Sequence, residues 1–137
     1  MLNTLSRFRD IGVLVLRLAF GFQLVKVSHV YILDSATKIP EFTTYLQSLG
    51  FPFPAPGAYI SVWTEFIGGV LLLLGFQTRW AALLLLINFS VAVGMAHLNI
   101  NDTYANTFPS VNLWAISFFL LLNGAGRWFI DGIFSKR

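Results

Sequence analysis

Four apolar runs, Ile11–Leu33, Pro56–Phe76, Trp80–Leu98 and Val111–Ile130, are separated by more polar breaks. Each has roughly the 20 residues a helix needs to cross a hydrocarbon core about 30 Å thick. The fourth is interrupted by Asn123-Gly124-Ala125-Gly126-Arg127, so its apolar part is expected to end near Leu122, with Trp128-Phe129-Ile130 at the membrane boundary. Between the first two runs, Phe42, Tyr45, Leu46 and Leu49 recur at helical spacing within Thr37–Leu49. That spacing predicts a short amphipathic helix on the membrane surface, capping the outer mouth of the bundle. The stretch Leu49–Pro56 carries three alternating prolines, which bias their neighbours toward extended backbone and predict a non-helical segment.

Composition decides what the runs are. Of the 137 residues, 56% are hydrophobic and 11% charged, against about 25% charged in soluble domains. Mean hydropathy is +0.72. Four buried helices of a soluble protein would leave too little polar sequence to cover a wet exterior. The expectation is an all-α, integral membrane four-helix bundle, one domain over residues 1–137. With no cysteine, disulfides, thiolate metal sites and cysteine nucleophiles are excluded. Arg7 and Arg9 precede the first run as in a signal peptide, yet the run is about twice a typical signal core and lacks a small-residue cleavage motif, so it reads as a retained helix.

The net charge of +3 matters through its distribution. Four spans place Arg7, Arg9, Arg79, Arg127, Lys136 and Arg137 on one side, and only Lys38 against Asp34, Glu41 and Asp102 on the other. The positive-inside rule then puts both termini in the cytoplasm. All four tyrosines fall toward the outer side, with Trp80 and Trp128 at the inner boundary and Trp114 near the outer one. The basic residues read as anchors to a lipid bilayer, and nothing in them calls for nucleic acid.

Polar residues inside the spans are the candidate chemistry. Glu65 lies in a run that is otherwise almost wholly apolar, where a carboxylate must be paired, protonated or turned to a polar cavity. On the first span Gln23 and His29 flank Lys26 within one face, whereas Arg17 points about 180° away. Lys26 lies roughly 10 Å, and Glu65 roughly 13 Å, below the outer ends of their helices. Matched depth and opposite charge make them an expected ion pair, with the alternative that Lys26 snorkels outward. His97 and His29 share the outer half, so Gln23, Lys26, His29, Glu65 and His97 form the expected polar cluster. Arg17 is expected either to snorkel to the inner headgroups or to serve a structural role, as Arg127 does; Gly68, Gly69, Gly21 and Gly75 read as close-packing positions, and Asn88 and Asn123 as interhelical hydrogen-bonding residues.

Several segments resemble the DoxX family of small four-helix bacterial membrane proteins: Arg17-Leu18-Ala19-Phe20-Gly21, Gly50-Phe51-Pro52, Glu65-Phe66-Ile67-Gly68-Gly69-Val70-Leu71-Leu72-Leu73-Leu74-Gly75 with Thr78-Arg79-Trp80-Ala81-Ala82, and Gly124-Ala125-Gly126-Arg127-Trp128-Phe129-Ile130-Asp131. His97 stands where that family often has a histidine. Val25–His29 departs from the family's usual His-Gly-x-x-Lys. The resemblance implies a multi-pass protein of the bacterial inner membrane associated with redox systems, including quinol oxidases and thiosulfate:quinone oxidoreduction. It does not carry a reaction by itself. The leading expectation is a non-catalytic accessory or assembly subunit of a larger respiratory or redox complex, with other membrane subunits as partners. The alternative is a quinone-binding or quinol-oxidoreductase subunit with its head-group pocket near Glu65, a carboxyl group suited to proton exchange. A haem between His29 and His97 is disfavoured by Lys26 one turn away, and four helices with no inverted repeat make a poor carrier.

Overall fold

A computed structural model of the chain describes residues 5–6, 8–98 and 103–127, the side chain of residue 97 excepted. The boundary position expected for Trp128-Phe129-Ile130, and the basic side's Arg7, Lys136 and Arg137, lie outside the described residues. The described chain is helical: α1 (Arg9–Leu33), α2 (Ser35–Ser48), α3 (Pro54–Leu74), α4 (Thr78–Val91) and α5 (Tyr104–Asn123). Beyond Val91 the fourth helix continues through Ala92–Leu98 with wider, π-type turns. Four of these elements are long and apolar enough to cross a membrane, and the protein is a four-helix membrane bundle. Its exterior presents Phe22, Ile60, Ile67, Leu84, Ile87 and Leu122 outward, a surface matched to lipid rather than water.

Helix α1 packs chiefly on α3, α3 on α4 and α4 on α5, while α1 and α5 touch only sparingly. Apolar burial supplies little drive between helices already in lipid, so close backbone approach must hold them. Glycine provides it at the α1–α3 crossing. A Cβ added to Gly21 would sit 2.8 Å from the Gly69 carbonyl oxygen, and one on Gly69 would sit 2.9 Å from the carbonyl oxygen of Gly21. The two backbones are in direct contact. One residue round the helix, Gly68 faces α4, where a Cβ would lie 3.0 Å from the Leu85 side chain.

The helices start ahead of the expected positions, and two of these starts involve proline. Pro54 and Pro56 belong to the first turn of α3, not to an extended segment. Amides of a first turn have no intrahelical acceptor, so proline loses nothing there and its fixed φ suits the start. Helix α5 begins at Tyr104, ahead of Val111, and carries Pro109 inside it. Trp114 therefore lies about 15 Å along the helix, near its middle. There its indole N–H donates to the Ser90 hydroxyl of α4 at 2.9 Å. Helix α2 turns away from α1 at Asp34, packs against α3 and buries Ile39. The remaining apolar side chains of α2 are left to form a wall.

A candidate functional site in the outer half of the bundle

That wall encloses, with the outer halves of α3 and α4, an apolar groove of about 660 Å³. Its size falls within the range of small-molecule sites, roughly 300–1,000 Å³. Leu46 and Tyr45 line it from α2, Phe53 and Ile60 from the start of α3, and Leu84 and Met95 from the fourth helix. The π-type turns at Ala92–Leu98 supply Ala92, Met95 and Ala96 to this wall; such turns often accompany functional sites. Three polar side chains interrupt the apolar lining: Ser61, Thr64 and Asn88.

Glu65 stands directly behind two of them. Its Oε1 accepts from the Asn88 amide nitrogen at 3.0 Å and from the Ser61 hydroxyl at 3.5 Å. Ser61 is four residues before Glu65 and shares its helix face. Asn88 reaches across from α4, three residues beyond the Leu85 that fits against Gly68. The two antiparallel helices thus meet in successive layers, one apolar and one polar. The result is a carboxyl group held by neutral donors, wired to the groove through the same two side chains that line it.

Of the five residues expected to cluster, the described side chains do not converge on Glu65. Gln23 and Lys26 are exposed on α1 and His29 is half-buried. Among the described residues no cation pairs with Glu65. The reason is rotational. Gly21 marks the face of α1 that meets α3, and Lys26 lies about 140° round the helix from it. Glu65, for its part, stacks over Gly68 and faces α4. The Nδ1 of His29 lies 2.6 Å from the Lys26 carbonyl oxygen of its own helix. His97 is in the π-type segment, with its side chain outside the described atoms.

Arg17 behaves differently from Lys26. It is buried at 3% exposure, and its guanidinium donates to the Ala125 carbonyl at 2.7 Å, joining α1 to the turn after α5. In that turn region Arg127 lies 3.8 Å from Asp10. Asn88, expected as interhelical glue, does bond across two helices, but to the carboxyl that was assigned to Lys26. Ser61 and Thr64 were missed. The i, i+4 spacing of Ser61 and Glu65 was the available signal.

A multi-pass helical bundle with a carboxyl set in the half that carries α2 is what the fold defines. Residues 12–98, more than half of the chain, match the DoxX family. The chain belongs to the DoxX family. An uncharacterized protein of Haemophilus influenzae (strain ATCC 51907 / DSM 11121 / KW20 / Rd) is 26% identical over 141 residues, covering 99% of this chain and 100% of that one. No solved structure matches the chain.

Proposed function

We propose that the protein is a small subunit of a membrane redox system that binds a quinone-type lipid in the groove between α2, α3 and α4. The observation that carries this reading is the coupling of an apolar, lipid-accessible groove to a carboxyl through Ser61 and Asn88. A quinone is an isoprenoid tail with a carbonyl head. The apolar walls suit the tail, and the second N–H of the Asn88 amide suits a head oxygen as donor, while Ser61 gives its one hydrogen to Glu65 and keeps lone pairs to accept from a quinol hydroxyl. Glu65, one hydrogen bond away, is the group able to accept or release the proton that accompanies quinol chemistry. In quinol oxidation the two electrons would leave the quinol for a partner subunit as its two protons are released, since the chain has no cysteine and the described residues hold no cluster suited to a metal.

Binding of a short-tailed ubiquinone to detergent-purified protein, followed by quenching of its four tryptophans, tests the reading. Leu46→Trp, which fills the groove from α2, is expected to weaken binding at least tenfold. Glu65→Gln keeps the hydrogen-bonding shape and is expected to retain binding while quinol-dependent electron transfer in membranes falls by about 10²-fold, the usual scale for a lost proton-transfer group. Unchanged binding in Leu46→Trp, or unchanged electron transfer in Glu65→Gln, would sink it.

A separate observation favours the subunit part of this reading. Gln23 and Lys26 are exposed on a lipid-depth face of α1. A cation there is better matched to an acidic or amide group on a neighbouring membrane helix than to acyl chains. Blue-native electrophoresis of mild-detergent extracts is expected to show a complex larger than the 15.3 kDa chain that dissociates in Lys26→Leu. Migration of the wild type as a lone chain would count against it.

A further inference from the structure

The end of the bundle opposite the groove contains a second cavity, of about 560 Å³. We propose that it binds a phosphate-type anion, the chemistry carried both by acidic phospholipid headgroups and by free phosphate. Three arginines line it from three elements: Arg9 at the start of α1, Arg79 in the first turn of α4 and Arg127 beyond α5. Each is tethered. The Arg9 guanidinium donates to the Asn123 side-chain oxygen, Arg79 donates to the Leu122 carbonyl at 3.2 Å, and Arg127 stands 3.8 Å from Asp10.

A guanidinium has five N–H donors, so these single tethers orient the groups and leave most of each fork available. Asp10 is the one carboxylate lining the cavity among the described residues. Among the described residues, three cations face one anion and repel each other, an excess of positive charge at the cavity. Arginine forks match the paired oxygens of a phosphate.

Two further features belong to a built site. Thr78 lines the cavity, is 3% exposed, and its hydroxyl has no hydrogen-bond partner among the described residues. The first turn of α4, to which it belongs, also presents backbone amides with no intrahelical acceptor, the usual setting for an anion at a helix start. Gly124 contributes by what it lacks. It holds φ +72°, and a Cβ there would lie 3.2 Å from Arg79 Nε, in the space the guanidinium occupies.

Native mass spectrometry of the detergent-purified protein, offered equal phosphatidylglycerol and phosphatidylcholine, tests the lipid source. Retention of phosphatidylglycerol in preference to phosphatidylcholine is expected. Arg9→Gln with Arg127→Gln, both at exposed positions, should lower that preference by about fivefold per arginine. The wild-type preference should also collapse between about 0.1 M and about 1 M salt, as the screening length falls from about 10 Å to about 3 Å. Thermal unfolding with inorganic phosphate tests the other source. A phosphate-dependent rise in midpoint that the double variant abolishes supports the free anion as ligand. Equal retention of the two lipids together with no phosphate effect overturns the proposal, as does a preference that the double variant leaves intact.

Discussion

The two faces of α3 solve the problem of holding helices together in lipid by opposite means. Toward α1 it offers Gly69 to Gly21, and two backbones meet with no side chain between them. Toward α4, one residue round, it offers Gly68 to Leu85 and then Glu65 to Asn88. The first face is dry and steric, and its stability rests on the absence of atoms. The second alternates a packed layer with a hydrogen-bonded one and opens into a groove. In a bilayer, where apolar burial between helices gains little, close packing can be the rigid part and polar pairing the adaptable part. The candidate functional side chains stand on the adaptable face.

The sharpest way to break this contrast is Gly21→Val. Its new atoms meet the Gly69 carbonyl oxygen, a group that cannot rotate away, so the bundle should lose about 3 kcal/mol. Reversible unfolding in mixed micelles measures it, and a loss under 1 kcal/mol would mean that α1 and α3 are not in backbone contact.

The polar face should respond less. Asn88→Leu removes the stronger donor to Glu65, and membrane hydrogen bonds of this kind average about 0.6 kcal/mol with a maximum near 1.7. A loss of about 1 kcal/mol in the same assay is expected, with the loss shrinking when Glu65→Leu, which removes the acceptor, is already present. Additive losses in the double variant would show that the two side chains do not interact.

The smallest effect belongs outside the membrane. Lys38 pairs with Glu41 at 2.8 Å on exposed α2, and hydrogen bonding to Glu41, followed by its charge, raises the Lys38 pKa above the ordinary lysine value. A raised lysine stabilises below its unfolded pKa of about 10.4 and loses that contribution as pH climbs through the higher folded value. Between about pH 6 and pH 9 it is constant, and exposed pairs contribute little. Lys38→Ala should therefore leave the unfolding midpoint unchanged across that range. A clear shift would mean that α2 is more tightly held than its exposure suggests.

Periodicity and length were enough for the bundle because they are one-dimensional properties. Twenty apolar residues read the same way whatever they pack against. The amphipathic helix α2 was legible for the same reason, from Phe42, Tyr45, Leu46 and Leu49. The starts of α3 and α5 were less so, since a proline reads equally as a helix breaker and as a first-turn residue. Glu65 stood out because an acid among leucines needs an explanation. Its partner could not be read off. Depth is a scalar, and by depth alone Lys26 suits Glu65. Pairing also needs rotation, and rotation depends on which face of each helix its neighbours claim.

The sequence by itself therefore determined the class of protein, the number of spans, the asymmetry of basic charge and the identity of one carboxyl needing company. Tertiary structure decided the company. The contact of Gly21 with Gly69 turns α1 so that Lys26 points away, while the fit of Gly68 to Leu85 brings Asn88 to Glu65. It also gathered Arg9, Arg79 and Arg127, far apart in the chain, around one cavity. The physical reason is common to both. Hydropathy is summed along a segment, whereas a hydrogen bond or charge cluster depends on side-chain directions set between helices.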